Sequence, residues 1–235
     1  MPRLGPEAVA DARPGPSGTA PALIRRIALS RIYRASSRYD ENGFAADAEN
    51  RLLWQAHRKR LPAESIRDAM LAVSGQLDPT PGGSPVEGMG TLAVDNSANA
   101  APDSQYEDYR QRSVYLPIIR NELPEILTVF DFANPDMVVG RRATTNVPAQ
   151  ALLLLNNPFV RGCAEKTAER LLADEGLSDE QRVDQAYSLI VARPADEAER
   201  KRALDYLNNA GNDRKQNWTR LVQALFASTE FRMLN

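Results

Sequence analysis

From Asn157 to the C-terminus the chain carries four apolar stripes at helical spacing, separated by short polar turns, and this pattern restricts the fold more than any other feature. Asn157-Pro158 places a capping side chain before a proline at the first helical position, and Val160, Cys163, Ala164, Thr167, Leu171 and Leu172 follow as one face that stops before Gly176. Ser178 and Gln181 have the spacing of a capping box. Behind them Val183, Ala186, Tyr187, Ile190 and Val191 repeat at helical intervals until Arg193-Pro194 interrupts. A third stripe holds Ala198, Ala203, Leu204 and Leu207, and a fourth holds Trp218, Leu221, Val222, Leu225 and Phe226, with Phe231 placed to cover the end. Helices joined by such short turns pack antiparallel against their neighbours, so residues 157–235 are expected to form a helical bundle.

The rest of the chain is less regular. Residues 1–21, rich in Pro, Gly and Ala, cannot bury enough surface to offset ordering and are expected to be a disordered leader. Residues 22–77 read as N-terminal helices. Leu23, Ile24, Ile27 and Ala28 share one face, and a second helix runs through Leu52, Leu53 and Trp54, breaks at Leu61-Pro62, and resumes with Ile66, Ala69, Met70 and Val73 up to Gly75. Residues 78–106 are dense in turn formers and are expected to be a mobile loop. Within 107–156, an irregular segment with short helices, Arg112, Val114 and Leu116 alternate with Ser113 and Tyr115, which suggests a short extended stretch ended by Pro117. The stretch Phe130–Phe159 mixes polar and apolar residues without a clear period and needs tertiary partners to hold it. The expected class is mainly α, with at most a short strand, and residues 22–235 as one domain.

Composition narrows the possible functions. The 29 Lys and Arg nearly balance 31 Asp and Glu, for a net charge of −2, which argues against nucleic acid as the main partner. With one cysteine, Cys163, an internal disulfide is impossible. The first twenty residues contain no apolar stretch of the signal-peptide kind. The longest apolar run, Ala151 to Leu155, is far short of a membrane span, which needs roughly 20 residues.

Five stretches carry a resemblance. They are LIRRIALSRIYRASS from Leu23, ENRLLWQAHRKRLPAESIRDAMLAVSGQLD from Glu49, RSVYLPIIRNELPEILTVFDFANPD from Arg112, GRRATTNVPAQALLLLNNPF from Gly140 and AYSLIVARPADEAE from Ala186. In this order they resemble the C-terminal part of a planctomycete family catalogued as domain of unknown function 1553. The similarity covers residues 22–235, and Pro62 stands where that family tends to carry a helix-capping aspartate. The resemblance implies a C-terminal module, a possible fragment, of a larger protein whose upstream parts include an aromatic-rich helical region, a cytochrome-c-like domain, a second uncharacterised domain and an export signal. It therefore implies a periplasmic or cell-surface location. This chain has no Cys-x-x-Cys-His sequence, so it offers no covalent haem attachment and no cofactor is expected.

Candidate site residues are few. Arg141 and Arg142, with Asn146 and the predicted helix N-terminus at Asn157, form a weak anion-binding candidate for a carboxylate or sulfate. The alternative is that both arginines pair with Asp131 and Asp136 and pin the irregular segment. Asp131 and Asp136 could also form an acid and base pair, but no second catalytic group of known geometry accompanies them. His57, the only histidine, lies in the run His57-Arg58-Lys59-Arg60, which reads as a solvated helix end. No metal-ligand spacing is present. Cys163 lies on an apolar stripe and reads as core. The expected role is a non-catalytic interaction or scaffolding domain serving upstream cytochrome-c-like or other domains or a partner protein. The alternative is a hydrolase or carbohydrate-processing enzyme acting on an acidic polymer.

Overall fold

A computed structural model describes residues 20–82, 108–118, 123–211 and 213–234. The leader expected over residues 1–21 falls outside these except for Ala20 and Pro21, and the loop expected over 78–106 falls outside them beyond Gly82. The chain divides into two compact units, residues 1–59 with 233–235, and residues 60–232. Among the described residues the fold is mainly α-helical. Its sheet structure is a single ladder of two-residue strands, β1 (Lys59–Arg60) and β2 (Met233–Leu234).

In the first unit, α1 (Ala20–Ala28) presents the amphipathic face expected of it, and none of its residues is buried. The short helix α2 (Glu41–Ala46) starts where the Asp40 carboxylate accepts the Gly43 N–H at 2.7 Å. The helix expected through Leu52, Leu53 and Trp54 does not form; residues 47–58 run through turns instead. Local polar bonds outcompete the helix there. The Asp47 carboxylate accepts the Leu52 N–H at 2.7 Å, the Trp54 indole N–H donates to the Asp47 carbonyl at 2.8 Å, and Asn50 and Leu53 adopt left-handed backbone. Trp54 lies so close to Gly43 that a Cβ there would come within 2.5 Å of the indole. Leu52, which a helix would have turned inward, is 83% exposed.

The second unit is built around α3 (Ala63–Ser74). It starts after Pro62 and ends at Gly75, whose φ of 75° is the left-handed geometry that glycine adopts without steric cost. Ile66, Met70 and Leu71 are buried. The extended segment expected at Arg112–Leu116 is instead a tight 3₁₀ turn, Ser113–Tyr115. Its cause is Asp68 on α3, whose Oδ1 accepts both the Ser113 N–H, at 2.8 Å, and the Ser113 hydroxyl, at 2.6 Å. Ser113 and Leu116 are buried and Val114 is exposed, a spacing of three rather than two.

The irregular segment expected over 107–156 yields two short helices, α4 (Glu125–Val129) and α5 (Pro148–Asn156). The bundle follows with α6 (Pro158–Leu172), α7 (Asp179–Ile190), α8 (Glu197–Asn209) and α9 (Arg214–Ala227). Asn157 caps α6, and Ser178 and Gln181 form the anticipated capping box on α7. Helix α6 is central, packing on α9 and on α3. Val160, Cys163, Ala164 and Leu171 meet Trp218, Val222 and Phe226 in one core, and Phe231 closes it with its ring 5.0 Å from that of Phe226.

Candidate functional site

A dense polar constellation in the second unit surrounds Arg60. Its guanidinium forms an ion pair with Asp131 at 2.7 Å, donates to the Phe130 carbonyl at 3.2 Å and also bonds the Thr145 carbonyl. Asp131 follows α4 with φ 59°, a left-handed conformation that Asp tolerates better than most residues, and this directs its carboxylate back across the chain. There it accepts the Thr145 N–H at 2.8 Å and the Thr145 hydroxyl at 3.0 Å. Gln150 of α5, fully buried, donates to the carbonyls of Val129 and Thr145 and accepts from Arg232 at 3.3 Å. The Leu61 N–H in turn donates to the Arg232 carbonyl at 2.8 Å. One network therefore ties the entry to α3, the end of α4, the loop before α5 and the end of the bundle.

Arg142 takes a different partner from either expected aspartate. Its Nη1 donates to both oxygens of Glu64 on α3, at 2.7 and 3.0 Å, and its guanidinium carbon lies 4.7 Å from the centre of the Phe132 ring. The expectation that Arg141 and Arg142 pair with Asp131 and Asp136 is corrected: Asp131 belongs to Arg60, and Arg142 to Glu64. Fold geometry decides this, because the left-handed turn aims Asp131 at Arg60 and Thr145, while α3 presents Glu64 from 78 residues away in sequence.

Arg141 and Asn146 are exposed. Asn157 is committed to structure, its Oδ1 accepting the N–H groups of Phe159 and Val160 at 3.0 and 3.4 Å while its Nδ2 donates to Glu125 at 3.2 Å. Among the described residues no hydrogen bond or ion pair joins Arg141, Arg142, Asn146 and Asn157 to one another.

A small cleft of about 100 Å³ opens beside this network, between Arg60, Pro62, Ala63, Asp131, Arg142 and Thr144. Burial alone would raise the Asp131 pKa. The Thr145 amide and the Arg60 guanidinium outweigh that effect and hold the carboxyl below its usual range. Asp131 is therefore ionised at neutral pH and has its oxygens occupied, which suits a fastener and not a proton donor.

A second buried cation, Arg67 on α3, is 2% exposed. It donates to the carbonyls of Tyr109 and Gln111 and to the Ser113 hydroxyl, with Asp68 at 3.8 Å, and it stands over the rings of Tyr109 and Phe159. Arg67, Glu64, Gln150 and Arg232 carry no mark in the sequence reading, and Arg60 enters it only as part of a basic run read as a solvated helix end. The only available signal was a charge inside an otherwise apolar helical face, as at Arg67 beside Ile66 and Met70.

His57 is exposed, with Nε2 at 3.5 Å from the Asn50 amide nitrogen. The basic run containing it is not a helix end, and Arg60 at its close is only 7% exposed. Cys163 is buried, and desolvation pushes its thiol up to about 11. Among the described residues no group of three His, Cys, Asp or Glu is placed to hold a metal, and no helix is long and apolar enough to cross a membrane.

Comparison with known proteins gives one finding. The family model described as PSD1, protein of unknown function (DUF1553), matches residues 19–207. No curated protein and no solved structure matches the chain.

Proposed function

We propose, from the premise that this chain belongs to the DUF1553 family of proteins of unknown function, that it is a non-catalytic interaction or scaffolding module. The observation that carries this reading is that the charges bordering the cleft are engaged with protein partners. Arg60 is bound to Asp131 and Arg142 to Glu64, and the cleft they border has room for only a few water molecules. Ligand pockets ordinarily run to several hundred Å³ with unsatisfied polar groups converging on them. A hydrolase acting on an acidic polymer would need a long open groove and a carboxyl group that is protonated at working pH, and Asp131 is held ionised.

The partner that the family resemblance suggests is a cytochrome-c-like or other domain of a larger planctomycete protein in an exported setting. Two measurements test the reading. Incubation with polygalacturonate and with a sulfated glycan should release no new reducing ends. Sedimentation of the chain mixed with a purified c-type cytochrome domain should give a complex. Turnover that disappears in Asp131→Asn would overturn the reading in favour of the enzyme.

A further inference from the structure

We propose that the segment from Ala20 to Arg38 is a peripheral lipid-binding element that lies along an anionic membrane surface. This goes beyond the scaffolding reading and does not depend on it, since every residue involved lies outside 60–232.

At about 100° per residue, Leu23, Ile27, Ala20, Ile24 and Ala28 of α1 occupy a single arc of about 140°. Arg25 and Arg26 stand about 130° to either side of its centre. Leu23, Ile24 and Ile27 are each at least half exposed, and no residue of the helix is buried. The turn beyond repeats the composition, with Leu29 exposed ahead of Arg31 and with Ile32 and Tyr33 exposed between Arg31 and Arg34.

The charge of the segment is wholly of one sign. Between Ala20 and Tyr39 there are five arginines, at positions 25, 26, 31, 34 and 38, and no Asp or Glu. None of the five makes an ion pair among the described residues, whereas Arg60, Arg142, Arg193 and Arg200 all do. Uncompensated cations flanking an exposed apolar arc fit an interface that is apolar below and negative at its rim, where long arginine side chains reach up to lipid phosphates. Nucleic acid would satisfy the arginines but leave the Leu and Ile arc in water. Each arginine near an anionic surface strengthens attachment by roughly fivefold, an effect that salt weakens.

The test is co-sedimentation of the whole chain with vesicles of phosphatidylcholine alone or with about a third phosphatidylglycerol. The wild type should bind the anionic vesicles at least about tenfold better, and raised salt should weaken the binding. The paired variants Ile24→Ser/Ile27→Ser and Arg25→Gln/Arg26→Gln should each lower it by at least about tenfold with the circular dichroism melt unchanged, since these side chains are not buried. No binding to anionic vesicles, equal binding to neutral ones, or binding that survives the isoleucine substitutions would overturn the proposal. So would a dimer in solution that the isoleucine variant dissociates, in the absence of vesicle binding, because the arc would then be covered by a second copy of the chain.

Discussion

Arg60 and Asp131 meet at 2.7 Å with side chains only 7% and 15% exposed, 71 residues apart in the chain. Their contact fixes the loop after α4 against the start of α3. The cost of desolvating both charges is offset because Asp131 also receives two bonds from Thr145, and Arg60 reaches two backbone carbonyls.

Removing one member of this pair should be severe. Asp131→Ala is expected to destabilise the protein by about 3 kcal/mol in urea unfolding at neutral pH, because it strands a buried guanidinium and places Ala at positive φ. Asp131→Asn, which tolerates that backbone, should cost roughly half as much. Equal and negligible effects would show that the network fastens nothing.

Arg142 should behave differently. Its side chain is 43% exposed and its partner Glu64 is 25% exposed, so solvent screens the pair. Arg142→Ala is expected to cost about 1 kcal/mol or less, part of it from the lost contact with Phe132, and a double-mutant cycle with Glu64→Ala should give a coupling below about 1 kcal/mol. A collapse of the fold in Arg142→Ala would contradict this.

Arg67→Met keeps much of the apolar volume and deletes the donors that hold the carbonyls of Tyr109 and Gln111. Those acceptors would lose their partners, at about 2–4 kcal/mol overall, and the segment 108–118 should become the first point of limited proteolysis. Arg67→Lys should not rescue it, because one ammonium cannot span the positions that the planar guanidinium reaches. Wild-type protease resistance in the Met variant would refute the assignment.

Arg193 holds Glu199 at 2.7 Å and Glu230 at 2.6 Å, and the first of these bonds pulls Glu199 down to about 2. A carboxyl group with a folded pKa below its unfolded value stabilises the fold fully above the unfolded pKa, which is about 4.3. That contribution is lost as pH falls from there towards 2. Glu199→Gln should therefore lower stability at pH 7 and flatten its decline in that acid window. An unchanged acid slope in the variant would place the acid sensitivity elsewhere.

Cys163 should be inert in the native state. Its thiol is buried and raised to about 11, so a disulfide reagent should react only at the rate of unfolding. Fast labelling of the native chain would mean that the centre of α6 opens easily.

The helical stripes and caps of the C-terminal half were legible because their causes are local. The capping box of Ser178 with Gln181, the Asn157 cap and the left-handed Gly75 depend on residues within a turn of one another. Two local readings failed where a distant or competing polar group intervened. Asp68, 45 residues away, converts Arg112–Leu116 from an extended stretch into a turn, and Asp47 and Asn50 replace a helix near Trp54 with turns.

In the C-terminal bundle the helices, most of their inward faces and the buried state of Cys163 follow from residue order, since periodicity and capping act over three or four positions. Which arginine meets which carboxylate does not. Asp131 had Arg141 and Arg142 closer along the chain, yet it binds Arg60, because a left-handed turn and the docking of α3 set the distance that electrostatic attraction then uses. Ion pairing follows proximity in space, and that proximity exists only once the helices have packed.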